Sequence, residues 1–175
     1  MYSKNAWQKI VNGDQEAFNA LFRNIYPELK AYGLALSNNE PLVQDALQNL
    51  FVKLWTRRAQ LGHIESIKHY LYRSFRNTLL DLIKEEQKYL DLDQAQLEKK
   101  TAFIPLDPAD KKSILAAKNI SYLLEQLPVK QKEIIYLRFY NHLSFKEIAE
   151  VMDLRYQTVR NYSVKAIQYL LKGSK

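Results

Sequence analysis

The chain has no cysteine. That excludes a disulfide framework and any thiolate metal site. Its 175 residues include only four glycines and five prolines, too few to punctuate a fold of many tight turns, so long helices are expected. No apolar run approaches the roughly 18 residues of a membrane span, so direct membrane insertion is not expected. The opening MYSKNAWQKIVNGDQ has no apolar stretch of the secretory kind, and a cytoplasmic protein is the default. There is no glycine loop that could cradle a phosphate. The three histidines, His63, His69 and His142, show no metal-ligand spacing with carboxylates. Neither a hydrolase nor a metalloenzyme is expected, and no cofactor is called for.

What is present is charge, unevenly placed. The formal net charge is +7, with 47% hydrophobic residues, a soluble globular balance that leans toward an anionic partner. Arg57, Arg58, Lys68, Arg73, Arg76 and Lys84 outnumber Glu65 and Asp81 in the stretch 57–84. From Leu154 to the end there are five basic residues and no acid. Between these patches, Glu85 to Asp110 carries seven acids against three lysines.

The periodicity predicts an all-α chain. One helix runs from Asp14 to about Leu36, with Phe18, Leu21, Phe22, Ile25 and Leu29 at three-to-four spacing. After the turn Ser37-Asn38-Asn39, Pro41 suits a helix start, and a second helix reaches about Arg58. A loop over 60–65 precedes a third helix, from about 66 to 87. Residues 89–112 have weak periodicity and two prolines and read as a flexible linker. Four further helices are expected at about 113–126, 129–140, 145–151 and 156–171. The chain thus divides into an N-terminal domain over 1–88, the linker, and a C-terminal domain over 113–175.

Near the end, LSFKEIAEVMDLRYQTVRNYSVKAIQYL holds two short amphipathic segments. Ser144 and Glu147 form an S-x-x-E capping box, with Leu143 and Ile148 at the staple positions. Ala149 is small enough for a close helix crossing. The second segment is expected to bury Val159, Tyr162, Ala166 and Tyr169. Its other side shows Arg155, Tyr156, Gln157, Arg160, Asn161 and Lys165, the side-chain types that read base edges and phosphates. This is the polarity of a helix-turn-helix. The bland alternative is a pair of bundle helices with a solvated basic face. Asp153 stands where a turn glycine is usual, and it tolerates the left-handed conformation needed there.

Two N-terminal helices also have two faces. On the helix ending near Arg58, Val43, Leu47, Leu50 and Leu54 make a core stripe. Asp45, Gln48, Val52 and Trp55 lie opposite, with Phe51 at the margin. Trp55 either tucks beneath the following loop or belongs to a docking surface. On the third helix, Ile67, Leu71, Phe75, Thr78 and Leu82 face one way. His69, Arg73, Arg76, Asn77 and Lys84 face the other, bordered by Tyr70 and Tyr72. Aromatics among cations suit unstacked bases, and a solvated face with an ion pair such as Arg73 to Asp81 is the alternative.

GDQEAFNALFRNIYPELKAY, DALQNLFVKLW and YLYRSFRNTLLDLIK resemble region 2 of the sigma-70 family. LEQLPVKQKEIIYLRFYNHLSFKEIAEVMDLRYQTVRNYSVKAI resembles region 4. Their order and spacing resemble a bacterial RNA polymerase sigma factor of the extracytoplasmic-function (ECF) group. The resemblance implies roles for the faces. Asp45, Gln48, Phe51, Val52 and Trp55 would meet the β′ clamp of core RNA polymerase, which also offers its β flap. Arg58, His63, Tyr70, Arg73, Arg76 and Asn77 would recognise and melt the −10 promoter element. Arg155, Tyr156, Gln157, Arg160, Asn161 and Lys165 would enter the major groove at the −35 element. Such factors are commonly held by anti-sigma factors, often membrane-anchored. A conventional helix-turn-helix regulator, binding operator DNA as a dimer, is the alternative, and it has no need for the Asp45–Trp55 face.

Two separate DNA contacts become specific only when the polymerase fixes their separation. The free chain is therefore expected to bind promoter duplex weakly, with affinity falling steeply as salt rises. Fluorescence anisotropy of a labelled duplex across a salt titration checks this. Tight, specific binding by the isolated chain would contradict it.

Overall fold

The computed structural model describes residues 4–62, 64–90 and 123–173. Every regular element among them is helical. In chain order these are α1 (Lys4–Val11), α2 (Gln15–Leu36), α3 (Glu40–Thr56), a 3-10 turn (Arg58–Gln60), α4 (Ile67–Leu90), α5 (Val129–Phe139), α6 (Phe145–Met152) and α7 (Tyr156–Gly173). The helix expected at 113–126 lies largely outside the described residues, with only 123–125 seen as helix. Nearly all of the expected linker, 91–112, lies outside them as well. The helices fall into two compact units. One holds α1, the bulk of α2, α3, the 3-10 turn and α4; the other holds α5 to α7.

In the first unit, α1 is a helix that the periodicity reading did not identify. It buries Trp7 and Ile10. The chain then turns sharply at Gly13, whose φ of 91° is open to glycine at little cost. Asp14 caps the next helix by accepting from the Ala17 N–H at 3.0 Å. Helix α2 buries Leu21, Ile25, Leu29 and Tyr32. Its interior Pro27 lies on the exposed side, where water can take over the carbonyl that proline leaves without a donor.

Asn39 starts α3 and also ties it to α4. Its side-chain oxygen accepts from Leu42 N–H at 3.2 Å, while its amide nitrogen donates to Glu86 Oε1 at 2.7 Å. Beside it, Lys30 and Glu40 pair at 2.8 Å. Their mutual hydrogen bond raises the lysine pKa and lowers the glutamate pKa, although a pair this exposed adds little to stability.

Val43, Leu47, Leu50 and Leu54 are all buried, as the stripe on α3 predicts. Helix α4 buries Ile67, Leu71, Phe75 and Leu79. Tyr72, expected at a border, is fully buried instead. Its hydroxyl donates to Glu28 Oε2 at 3.2 Å, and the same carboxylate pairs with Lys68 at 2.8 Å. The ring can therefore enter the core because its polar end is satisfied. The suggested Arg73–Asp81 pair is not formed; eight helical residues span about 12 Å, a long reach for two side chains. Asp81 lies 3.7 Å from Lys84 instead.

In the second unit, Ile134, Leu137, Leu143, Ile148, Val151, Val159 and Ala166 make the core. Lys132 and Glu133 are buried among them. Burial pushes the Lys132 pKa down, partly offset by Glu125. Three residues beyond α5, His142 is left-handed (φ 57°), and Leu143 N–H reaches back to Leu137 C=O at 3.0 Å. Arg138 locks this corner by donating to Leu143 C=O at 2.9 Å with its guanidinium 5.0 Å from the Phe145 ring centre.

Gly33 is where the first unit comes closest. A Cβ there would stand 2.7 Å from Val43 Cγ1 and 2.8 Å from Phe75 Cζ. Both neighbours are fully buried and cannot swing away. Alanine would gain about 1 kcal/mol of helix propensity, but overpacking costs about 1–3 kcal/mol. Gly33→Ala is expected to lower the thermal midpoint by several degrees, read by circular dichroism; an unchanged or raised midpoint would mean that α2 has room to move.

Candidate functional site

Three surfaces carry the residues singled out by sequence. The first lies on α3. Asp45, Gln48 and Val52 are all exposed, at steps of three and four, so they form one line along the helix. Val52 is 54% exposed, an apolar side chain left in water on a helix whose opposite face is fully used. Phe51 is not at the surface margin but 6% exposed. Its ring sits 4.7 Å from Phe22, 6.3 Å from Phe18 and 6.5 Å from Tyr26. Helix α2 thus supplies an aromatic wall that encloses it. Trp55 is half-buried between Phe18, at 4.9 Å, and Arg58, whose guanidinium lies 4.2 Å over the indole. This tryptophan is packed against α2 and the 3-10 turn, and part of it still reaches solvent.

The second surface runs from the 3-10 turn along α4. Arg58 is drawn inward. Besides covering Trp55, it donates from Nη1 to Trp55 C=O at 2.6 Å. Such charge-assisted contacts hold it to the protein rather than leaving it extended toward a ligand. His63 lies outside the described residues. Tyr70, Arg73 and Asn77 follow one line on α4; Arg73 and Asn77 are exposed, Tyr70 and Arg76 half-buried. The Tyr70 ring meets the Trp7 ring edge-on, with centres 6.1 Å apart. Sequence reasoning missed Trp7 altogether. The signal was there, in the three-residue step from Trp7 to Ile10, but eight residues give little periodicity to read.

The third surface is the helix-turn-helix of α6 and α7. Ser144 Oγ accepts from Glu147 N–H at 3.2 Å, and Glu147 Oε2 accepts from Ser144 N–H at 2.8 Å. The capping box is formed as expected, and the staple residues Leu143 and Ile148 are both buried. Asp153 takes the left-handed conformation, φ 53° and ψ 49°, and so makes the turn without glycine. Arg155, Tyr156, Gln157, Arg160, Asn161 and Lys165 are all exposed. Gln157 Nε2 donates to Asn161 Oδ1 at 3.1 Å, which aligns two amides one turn apart.

The inner face of α7 differs from expectation. Val159, Ser163 and Ala166 are buried, Tyr162 is half-buried and Tyr169 is 44% exposed. At 100° per residue, Tyr162 and Tyr169 lie roughly 60° and 80° around the helix from Val159. The small residues fill the centre line, where α5 and α6 approach closely.

Residues 21–89 match the family model described as sigma-70 region 2, and residues 117–170 match the one described as sigma-70, region 4. Together the two matches span more than two thirds of the chain. A helical unit that matches region 2 and a helix-turn-helix that matches region 4 define a sigma factor. The chain belongs to the sigma-70 family, in its ECF group. It is 26% identical over 170 residues to the ECF RNA polymerase sigma factor SigW of Bacillus subtilis (strain 168), covering 91% of this chain and 90% of that one. It is 26% identical over 141 residues to the RNA polymerase sigma factor SigV of the same organism, covering 79% and 81%. Two solved structures share the fold. CnrH in complex with the cytosolic domain of CnrY superposes with a TM-score of 0.67 at 19% identity, over 98% of this chain and 96% of that one. The sigma factor RpoE of Bartonella quintana, in complex with the anti-sigma factor NepR, gives 0.71 at 18% identity, over 89% and 95%. As a sigma factor, the protein acts with core RNA polymerase to direct transcription initiation and is not itself an enzyme. An operator-binding regulator has no region 2, so the match to that region decides against this alternative.

Ser144→Ala removes half of the capping box and is expected to destabilise the second unit by about 1 kcal/mol. Arg160→Ala and Lys165→Ala, both exposed, should stay within about 0.5 kcal/mol of wild type. Chemical denaturation of the three variants checks the contrast. Equal losses in all three would mean that α7's basic face is packed rather than open.

Proposed function

We propose that the three surfaces divide the work of a promoter-directing subunit. The line Asp45, Gln48 and Val52, with the accessible part of Trp55 beside it, docks on the β′ clamp of core polymerase. Phe51 contributes from beneath, by holding α3 against the aromatic wall of α2. Tyr70, Arg73, Arg76 and Asn77 meet the −10 element. There the cations hold phosphates while the tyrosine offers a ring to an unstacked base. His63 belongs to the same reading by sequence alone, and Arg58 acts from inside the fold.

Helix α7 enters the major groove at the −35 element. Arg155 and Lys165 meet phosphates, and Gln157, Arg160 and Asn161 meet base edges. One observation carries this part most strongly: Tyr156, Gln157, Arg160, Asn161 and Lys165 on α7, and Arg155 just before it, are all exposed, and α7 follows the capped α6 through a left-handed turn at Asp153. The likeness to the sigma factor RpoE, solved with the anti-sigma factor NepR, supports an anti-sigma partner of the same general kind. No described helix is long and apolar enough to cross a membrane, which fits an inhibitor that comes to a cytoplasmic factor.

The test is co-elution with bacterial core RNA polymerase. Gln48→Ala/Val52→Lys alters only exposed positions, so the fold is expected to survive. Wild type should co-elute stoichiometrically and the double variant should lose most of that binding. Equal co-elution of the two would remove α3 from the contact.

A further inference from the structure

We propose that Trp7, on the N-terminal helix, is a positioning residue for base recognition. It fixes the first part of the loop after the 3-10 turn, at Gly62, together with the Tyr70 ring, in the pose that receives promoter DNA. The inference rests on the reading that this loop and α4 handle the −10 element.

Trp7 is 4% exposed, and its indole N–H donates to Gly62 C=O at 3.3 Å across 55 residues of sequence. The same ring meets Tyr70 edge-on. A buried indole needs a partner for its one polar atom, and here the partner belongs to an irregular loop rather than to the core. Gly62 is itself exposed, and a Cβ added there would meet nothing within 4 Å. Nothing packs on that residue's open side, yet its carbonyl is held by a side chain distant in sequence.

The surrounding chain braces the same segment. Helix α1 packs on the 3-10 turn. The left-handed Gly13 just beyond α1 lies beside Arg58, where a Cβ would be in ordinary contact at 3.5 Å from Nε. Arg58 in turn is fixed on Trp55. Backbone held in this way loses less conformational freedom when it binds a base, and that saving appears as selectivity for the sequence that supplies that base. Phenylalanine at position 7 would keep most of the buried ring and the contact with Tyr70 but lose the donor.

The experiment uses holoenzyme reconstituted from core polymerase and the full chain, as wild type, Trp7→Phe or Trp7→Ala. The probe is a fluorescent single-stranded oligonucleotide with the non-template −10 sequence of a promoter that the wild-type holoenzyme opens. A scrambled oligonucleotide serves as reference. The readout is the ratio of the two affinities, because a partly unfolded sample lowers both equally and leaves the ratio alone. Trp7→Phe is expected to co-elute normally with core polymerase and to lower the ratio roughly threefold to tenfold, the size of one lost hydrogen bond. Trp7→Ala should lower it further; if that variant does not fold, the phenylalanine variant decides. A wild-type ratio retained in Trp7→Phe, or equal weakening of both probes, would overturn the inference and leave Trp7 a core residue. A wild-type ratio near one would instead sink the −10 reading on which the inference stands.

Discussion

Gly33 sets the distance at which α2 meets α3 and α4, and the geometry of the first unit follows from it. Because no Cβ stands there, Val43 and Phe75 close over the backbone of α2, and each of the two helices is committed to burying one face. Each helix has only one face to give to a core this tight. What remains on α3 is the line of Asp45, Gln48 and Val52; what remains on α4 is the line of Tyr70, Arg73 and Asn77. The proposed binding surfaces are the complement of the packing. A bulkier residue at position 33 would shift α3 relative to α4 and move two proposed binding surfaces at once.

Helices of ten residues or more were legible from the sequence, because a buried stripe repeated over several turns leaves few alternatives. So were the capping box at Ser144 and the left-handed turn at Asp153, where short-range chemistry alone dictates conformation. Helix α1 was not read: eight residues carry a single Trp7-to-Ile10 step, and the contacts of Trp7 with Gly62 and Tyr70 are distant in sequence. Phe51, Tyr72 and Tyr162 were misplaced for a related reason. A helical wheel gives angle but not the depth of the neighbouring wall. An aromatic ring near a border goes inward when a wall of rings or a hydroxyl partner awaits it, as with Phe22 for Phe51 and Glu28 for Tyr72. It stays part-way out when small residues already fill the centre, as on α7.

Arg58 shows how a charge can mislead. In sequence it belongs to a basic patch beside an aromatic, the composition of a nucleic-acid surface. In the fold its guanidinium covers Trp55 and donates to that residue's carbonyl. The cation is used to finish the end of α3, where the last carbonyls of a helix have no partners of their own and favour positive charge. Net charge over a stretch therefore overstates what is available to DNA, and exposure has to be read residue by residue.

The double duty of Asn39 restricts what that position can hold. Asparagine and aspartate are near equivalents as helix caps, and either could accept from Leu42. Only asparagine can also donate to Glu86, 2.7 Å away. Aspartate would bring two carboxylates to hydrogen-bonding distance, and one of them would have to keep a proton. Its pKa would be raised in the folded state, so the corner joining α3 to α4 would be firm in acid and would loosen as pH rose through that value. A substitution that looks silent in a helix-capping table would thus give the first unit an acid preference that the present sequence avoids.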